Sequence, residues 1–498
     1  MEEIVRRGME EGHGSLNIFL DQIDKEASFL QKEYGDKWNE YVDIWKGKLW
    51  PDKRPDYKNS PGLNHIATIL EREGAYLTDT RPQINIIARD DRLSGATEIL
   101  EELVSAIWEE RNLTQALQEM IFFAGIFGCS FASVVYNSEL DMGIGDIDVK
   151  VGDPRCFGFD PMVLRSYNLD QGEYVKCEYF VTTDILRFKF PGINIESYAD
   201  KGETKDSWED KVASLFMKGK GDSLCPVIGR SLVKEYWVKD HTPKRDRLGN
   251  PILSRNGKQE REYPAGRHFV RTGDKILVNE ENPYIDGIYG FPVDMLSWRF
   301  NPDSPVGIGE IESLGSLQKT YLKLVEIIVE NAILMNNAIW VGDREALDPD
   351  DWAKLNNKPG SYVKVNPGKN LHREGPPALP AYSQNTALYL KDQLLELSGM
   401  TDITSGIAPG GVTSGVALDS LQQAAQSKIR LKARDIETTM QRIGQKMIAR
   451  ILQYYTSNRG MHTLGNNGKV REYKFLRDSL MAPLRKLYGE DSELQAAR

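Results

Sequence analysis

Cysteine is scarce in this chain: Cys129, Cys156, Cys177 and Cys225 are the four among 498 residues. None stands in a CxxC pair, which argues against zinc ribbons and dithiol redox motifs. So few cysteines, with an acidic start (MEEIVRRGMEEG) where a signal peptide would stand, predict synthesis in a reducing cytoplasm. Long apolar runs are missing too. The longest uncharged stretch, Met120 to Tyr136, falls short of the ~20 strongly apolar residues of a membrane span and holds Gly125, Gly128, Ser130 and Ser133. It reads as a buried helix end, a glycine break and a strand, so no membrane association is expected. An excess of basic charge is also lacking: 63 Lys and Arg against 73 Asp and Glu give a formal charge of −10. Such a chain is not built to coat DNA, because affinity for phosphates comes from clustered Lys and Arg. DNA as a loosely held passenger is compatible with it.

Catalytic signatures are absent as well. The six histidines (His13, His65, His241, His268, His372 and His462) form no i, i+4 pair and no HExxH, and there is no G-x-S-x-G. The loop from Gly406 to Thr413 has the glycine spacing of a phosphate-binding loop, but Val412 stands where a lysine must reach the phosphates. Asp153-Pro154 and Asp160-Pro161 read as strand-ending turns rather than paired acids. No catalytic residue, metal site or cofactor is predicted, and the length predicts two to four structural modules.

The residues that are present describe an α+β chain. Phe29, Tyr34, Trp38, Tyr41 and Trp45 recur at helical spacing, and a proline-rich loop covers residues 50–62. Helical periodicity resumes from Ile66 to Leu77, a short strand is expected at Ile84–Ala88, and a further helix at Leu93–Trp108. From Val134 to Phe300 the texture is β-rich, with ASVVY, DIDVKV, LVKEYWV and KILVNE as strands and residues 239–266 as an exposed hairpin or mobile loop. After Pro305, Ile311, Leu314, Leu317, Tyr321, Leu324, Ile328, Ala332 and Met335 form one apolar helical stripe. A mixed segment follows, with AIWV and SYVKV as strands. A helix then runs from Ser383, as N-cap, to Leu397 and ends at Gly399. The loop Thr401–Ser414 leads into a helix from Gly415 to Tyr455, ~60 Å long at ~1.5 Å per residue. A short helix, Arg471–Leu487, closes the chain. Helices of this length around a small β insert need partners, which identical neighbours in an oligomer supply most simply.

These elements, in this order, resemble the portal proteins of tailed bacteriophages. The resemblance is carried by Tyr41…Trp45-x-Gly47-x-x-Trp50, by Asn64 with the helix ending at Arg81-Pro82, and by Asp153-Pro154-Arg155…Asp160-Pro161 with the strand Val233–Trp237. It is carried more specifically by Gly307-x-Gly309-Glu310…Gln318. The most specific match is Leu397-Ser398-Gly399-Met400-Thr401-Asp402…Gly406…Ser414-Gly415-Val416-Ala417-Leu418…Leu421-Gln422. It covers about residues 38–456. The resemblance implies a wing (1–304), a first stem helix (305–335), a clip (336–382), a second stem helix (383–400), a tunnel loop (401–414), a long wing helix (415–455) and a helical crown (456–498). It implies a ring, typically of twelve subunits, at one capsid vertex, through which a terminase packages double-stranded DNA and from which the DNA leaves at infection. The implied partners are other copies of the chain, the terminase large subunit, capsid and scaffolding proteins, and head-tail adaptors; the implied location is the virion.

Charge and texture then suggest roles on that implied plan. In the clip, Asp343, Glu345, Asp348, Asp350 and Asp351 precede Lys354, Lys358, Lys364, Lys369 and Arg373, a split that offers a head-to-tail ring, or a terminase, two complementary faces. The stem carries both signs, with Glu312, Lys319, Lys323, Glu326, Lys391 and Glu396 as channel-lining candidates; mixed lining avoids gripping a moving duplex. The tunnel-loop residues Ile407, Ala408, Pro409, Gly410, Gly411 and Val412 are uncharged and would touch DNA without ionic capture. The basic residues of the long helix read either as a solvated face or as a contact for DNA or an acidic neighbour. Other virion connectors and a terminase-type nuclease are the alternative readings; the first would lack the helix–clip–helix–loop series, and the second lacks its motifs.

Overall fold

A computed structural model describes residues 13–51, 53–55, 58–79, 84–87, 94–197, 229–246, 250–253, 257, 259–284, 290–336, 339–352, 355, 363–375, 378–400, 427–455, 459–464 and 470–475. The described residues open with five α-helices: α1 (His13–Ala27), α2 (Phe29–Trp45), α3 (His65–Thr78), α4 (Ser94–Glu110) and α5 (Leu113–Phe127). Strands β1 (Cys129–Asn137), β2 (Asp146–Gly152), β3 (Phe157–Phe159) and β4 (Tyr174–Thr182) follow, then the short helix α6 (Thr183–Lys189). Next come β5 (Arg230–Val238), β6 (Arg267–Thr272), β7 (Lys275–Glu281) and β8 (Val293–Ser297). The long helix α7 (Glu310–Asn336) leads to β9 (Ile339–Gly342), the one-turn α8 (Pro349–Trp352), β10 (Leu371–Glu374) and α9 (Ala381–Ser398). Helix α10 (Ser427–Tyr454) and a hairpin of β11 (Arg459–Leu464) and β12 (Val470–Phe475) complete the described residues.

Two compact units divide these elements: Met1–Tyr41 with Glu73–Glu312 and Ser427–Arg498, and Val42–Arg72 with Ser313–Gln426. The first holds two antiparallel sheets, ordered β2-β1-β8 and β3-β4-β5-β6-β7. Side chains alternate across a strand, and the five-stranded sheet uses both faces. Tyr174, Tyr236, Val238 and Phe269 pack against Leu16, Phe19, Leu20, Ile23 and Ala27 of α1. Into the same contact α1 inserts Asp24, which takes Lys176 (2.9 Å), Lys234 (2.8 Å), Arg271 (2.5 Å) and the Tyr236 hydroxyl (3.0 Å). Three cations overcome the cost of burial and hold the Asp24 carboxyl far below its usual range. On the other face Glu235 accepts from His268 (2.8 Å) and from the Tyr179 hydroxyl (3.1 Å).

Helix α10 completes the core over the three-stranded sheet. Its stripe of Ile436, Met440, Ile443, Met447 and Ile451 packs with Val134, Ile147, Leu296 and Trp298 and with the buried faces of α4 and α5. In the second unit, Tyr321 and Leu322 of α7 pack with Ala387 and Leu390 of α9 and with Leu49 and Trp50. The β9–β10 hairpin lies in the chain between those two helices.

Much of the sequence reading is present. The uncharged run is the end of α5, a break at Gly128 in the left-handed region (φ 87°) and then β1. Asp153 accepts from the Arg155 amide, and Asp160 from the amides of Met162 and Glu173, as turn-forming acids. The described residues of 239–266 fold back on themselves through the isolated bridges Pro243–Arg261, Arg245–Pro251 and Leu253–Gln259. Among the described residues no helix is long and apolar enough to cross a membrane.

Four expectations are corrected. Ile84–Ile87 joins no sheet; Ile84 and Ile86 pack as apolar plugs on the helical core. The partner of β9 is Leu371–Glu374, and the described part of SYVKV, 363–365, joins no strand. Ser383 lies inside the first turn of α9, whose N-cap is Pro380. The closing helix expected from Arg471 is, over 470–475, the strand β12, so the described residues after 455 form a β-hairpin rather than a helix.

Candidate functional site

Helix α7 starts where two backbones cross. Val306–Gly309 passes over the α5–β1 junction, and a Cβ on Gly307 would stand 2.8 Å from the Gly128 carbonyl, one on Gly309 2.9 Å from that of Gly125. Gly128 itself is left-handed and faces the Gly307 carbonyl, so a side chain there is excluded twice. The Gly307-x-Gly309 spacing is therefore a backbone-on-backbone contact.

The next residue, Glu310, is buried and locks the crossing. Its Oε1 accepts from the Trp298 indole (3.1 Å) and from Lys432 of α10 (2.5 Å). Lys432 also donates to Glu73 of α3 (2.8 Å), and its ammonium stands 4.7 Å from the Trp298 ring centre. Two buried carboxylates thus share one lysine. Burial first, and the Glu310 charge second, push the Glu73 carboxyl up from 4.5 to about 7, against the pull of Lys432. Glu73 Oε2 has no hydrogen-bond partner among the described residues. The clamp joins the first turn of α7 to the start of α10, the two places where the chain leaves this unit after Glu312 and re-enters it at Ser427.

The predicted stem residues have separate surroundings. Glu312 is exposed on the first turn of α7. In the second unit Lys319, Lys323 and Glu326 line a cleft of about 640 Å³ together with Trp50, Arg54 and Lys58. Glu326 is buried there by an ion pair with Arg54, whose guanidinium stacks 4.0 Å from the Trp50 ring centre. Lys323 projects into solvent. On α9, Lys391 is exposed, and Glu396 is exposed and accepts from Gln393 (2.9 Å).

In the clip segment, Glu345 pairs with Lys369 (2.6 Å) and Asp343 accepts from the Asn370 amide (2.9 Å), so part of the acidic half closes on the basic half within one chain. Asp348 and Asp350 are exposed, with Asp351 half-buried, around the start of α8. Lys364 is exposed, and Arg373 is exposed and stacks 4.6 Å from the Trp340 ring centre. Lys354, Lys358 and the tunnel-loop residues Ile407, Ala408, Pro409, Gly410, Gly411 and Val412 lie outside the described residues. Among the described residues no cluster of His, Cys, Asp and Glu is arranged to hold a metal ion.

The basic residues of α10 are where sequence reasoning went furthest astray. Lys432, Lys446 and Arg450 are buried and Arg442 nearly so. Arg442 and Lys446 pair with Asp294 at 3.1 and 3.0 Å, and Arg450 donates to the Val134 carbonyl and stacks 3.9 Å from the Tyr284 ring centre. These cations are internal struts, and three of them meet acidic partners within the same chain, Glu73, Glu310 and Asp294, while Arg430 and Arg434 remain exposed as on a solvated face. Glu73, Trp298 and Arg54 carried no signal of their own. Only the Gly307-x-Gly309-Glu310 motif pointed at the clamp.

No curated protein matches the chain. The family model of the phage P22-like portal protein does match it, over residues 60–479, an extent that includes the glycine crossing, the Glu73–Lys432–Glu310 clamp, both long helices of the second unit and α10; the chain belongs to the phage P22-like portal protein family.

Proposed function

We propose that this chain is the subunit of a ring-shaped channel at one capsid vertex, through which a terminase drives double-stranded DNA inward and from which the DNA leaves at infection. On this reading residues 1–304 are the wing, 305–335 and 383–400 the stem, 336–382 the clip, 401–414 the tunnel loop, 415–455 the long wing helix and 456–498 the crown. The observation that carries it is the outbound and returning pair α7 and α9, packed on each other and separated by a small hairpin, with the outbound root clamped to α10. Such a pair gives a ring a rigid spoke on each subunit. The ring, of about a dozen copies, hydrolyses nothing itself; the motor, scaffold, capsid and head-tail adaptors are its partners. Mixed charge along the stem and an uncharged tunnel loop suit a conduit that must not bind its cargo.

Negative-stain electron microscopy with mass photometry of the purified chain, alone and with scaffolding protein, tests the proposal. Annular particles of about twelve subunits' mass are expected. Absence of rings under both conditions overturns it. Deleting Ala408–Val412 is expected to spare ring formation and to impair packaging or retention of DNA.

A further inference from the structure

The unit that holds both sheets carries two exposed aromatic patches, and the strand register puts them at opposite ends of the fold. One surrounds a small cleft of about 110 Å³ lined by Leu164, Tyr167, Phe300, Pro305, Asp435 and Thr439, among others. Tyr167 is 60% exposed and Phe300 68%. The other is α6, where Phe188 is 87% exposed between Arg187 and Lys189. The cleft belongs to the segment before Tyr174, the first residue of β4, and α6 follows Thr182, the last. Strand β1 gives the same answer independently. Its first residue, Cys129, pairs with Ser297, which lines the cleft, whereas Lys189 of α6 bonds Glu139, just beyond the strand's last residue (2.6 Å). Nine residues of strand separate the ends by roughly 27 Å.

The charges at the two patches also differ. Two arginines at the cleft are engaged: Arg165 donates to the carbonyls of Leu164 and Pro302 at 2.9 and 3.0 Å, and Arg442 pairs with Asp294. Asp435 is exposed at the rim of the cleft and has no ion-pair partner among the described residues. At α6, Arg187 and Lys189 flank the aromatic ring; they pair with the exposed Asp184 and Glu139 at 3.4 and 2.6 Å, Arg187 also donates to the Ile195 carbonyl (2.7 Å), and both keep about half of their side-chain surface, where such pairs exchange readily. An aromatic knob bordered by cations at one end, and an aromatic cleft holding a lone carboxylate at the other, are the parts of a contact between different faces of identical molecules. A contact of that kind generates rings when the rotation closes, and an aromatic anchor seated in a desolvated pocket is where interface energy concentrates.

We propose that Phe188 of one copy seats in the Leu164–Tyr167–Phe300 cleft of the next, with Lys189 or Arg187 reaching Asp435, as a head-to-tail contact between neighbouring wings. The inference rests on the ring reading above and names a surface that makes the ring. The test uses Phe188→Asp and Phe300→Asp in the full chain, under conditions where the wild type assembles. Both side chains are exposed, so each variant is expected to keep the wild-type melting temperature. Each alone should lose the species above monomer mass. Mixed in equal amounts they should give heterodimers and no rings, because only the Phe188 of one and the cleft of the other are intact. Asp435→Lys should weaken assembly at least tenfold, and Lys189→Glu with Arg187→Glu should restore part of it.

Rings at wild-type yield in Phe188→Asp overturn this contact and leave the ring reading standing. Capture of capsid or scaffolding protein by the cleft in a Phe188-independent manner overturns it in favour of a different occupant. A wild-type chain that forms no ring with or without scaffold removes the ring reading, and this contact with it.

Discussion

In the unit that holds both sheets, cations are internal parts: Lys176, Arg271, Lys432, Lys446 and Arg450 are buried, and each has a carboxylate or carbonyl within hydrogen-bond reach. In the second unit Lys323, Lys364, Lys369, Arg373 and Lys391 are exposed, and the buried carboxylate Glu326 takes Arg54 and, at 4.0 Å, Lys58. A buried pair adds little net stability over well-packed apolar residues, but losing one partner strands the other at high cost. The first unit therefore uses charge to fix which surfaces meet. The second keeps charge at its surface, where association can use it and folding does not depend on it.

Removing Asp24 should break the comparison most severely. Asp24→Ala takes one carboxylate from each of Lys176, Lys234 and Arg271, and leaves Lys176 paired with Glu178 and Arg271 with Asp21. A loss of roughly 3–5 kcal/mol is expected for stranding buried charge. Hydrogen exchange should place it in α1 and in the sheet face beneath it. The carboxyl is held far below its ordinary value, so its contribution is full above about pH 4 and disappears as pH falls toward the folded value. Unchanged protection of α1 in Asp24→Ala would show that its apolar face alone docks the helix.

The clamp at the root of α7 should respond to pH in the opposite sense. The Glu73 carboxyl is raised from 4.5 to about 7, so stability from this group is fully present below about 4.5 and is lost as pH rises through about 7. Glu73→Gln removes that titration and leaves Lys432 paired with Glu310 alone. His268, raised by its contacts with Glu235 and Glu280, titrates in the same direction. The difference between variant and wild-type melting curves isolates the clamp: Glu73→Gln should gain stability relative to wild type at pH 8 and gain none at pH 4. A difference that does not change with pH would mean that folding does not raise the Glu73 carboxyl.

How much of this was legible follows from what a sequence pattern encodes. Periodicity found α7, α9 and α10 because an apolar stripe repeats along one helix. It could not tell that the residues beside the stripe of α10 are also buried, since their partners, Glu73, Glu310 and Asp294, lie far away in sequence. Glycine spacing was legible as a motif; its cause is a crossing with Gly128, remote from it in the chain. Strand β10, LHRE, carries almost no β signal and pairs because β9 offers it an edge, whereas SYVKV carries that signal and its described part joins no strand. VREYKF could serve a helix or a strand, and pairing with Arg459–Leu464 decides it. The stem and clip residues were located by charge, which says that a side chain is polar and nothing of what it meets.

A smaller effect is expected inside the second unit's cleft. Arg54→Ala removes both the partner of Glu326 and the plane stacked on Trp50, and with it packing as well as charge. Arg54→Lys keeps the charge but not the stacked, forked geometry. Thermal scans should order wild type, lysine variant and alanine variant, with about 1–3 kcal/mol between the extremes. Equal loss in both variants would mean that the guanidinium plane, not the charge, holds Trp50.

The smallest stability effect, and the sharpest separation of the two units, is expected from reversing Lys364, Lys369 and Arg373 to Glu together. All three are exposed, and the ion pair of Glu345 with Lys369 keeps 76% and 39% of its side-chain surface. Exposed pairs of this kind contribute ~0–1 kcal/mol, and salt screens them further. The melting temperature should therefore stay within a degree or two of the wild type. Assembly should not survive so well, because the acidic stretch at Asp343, Glu345, Asp348, Asp350 and Asp351 would meet a like-charged face on its neighbour. Mass photometry across a salt series separates the contributions: if the clip charges join subunits, rings of the reversed variant should be absent at low salt and partly recovered as salt rises. Wild-type ring yield at low salt would confine the clip charges to solvation and leave subunit contact to the stem and wing.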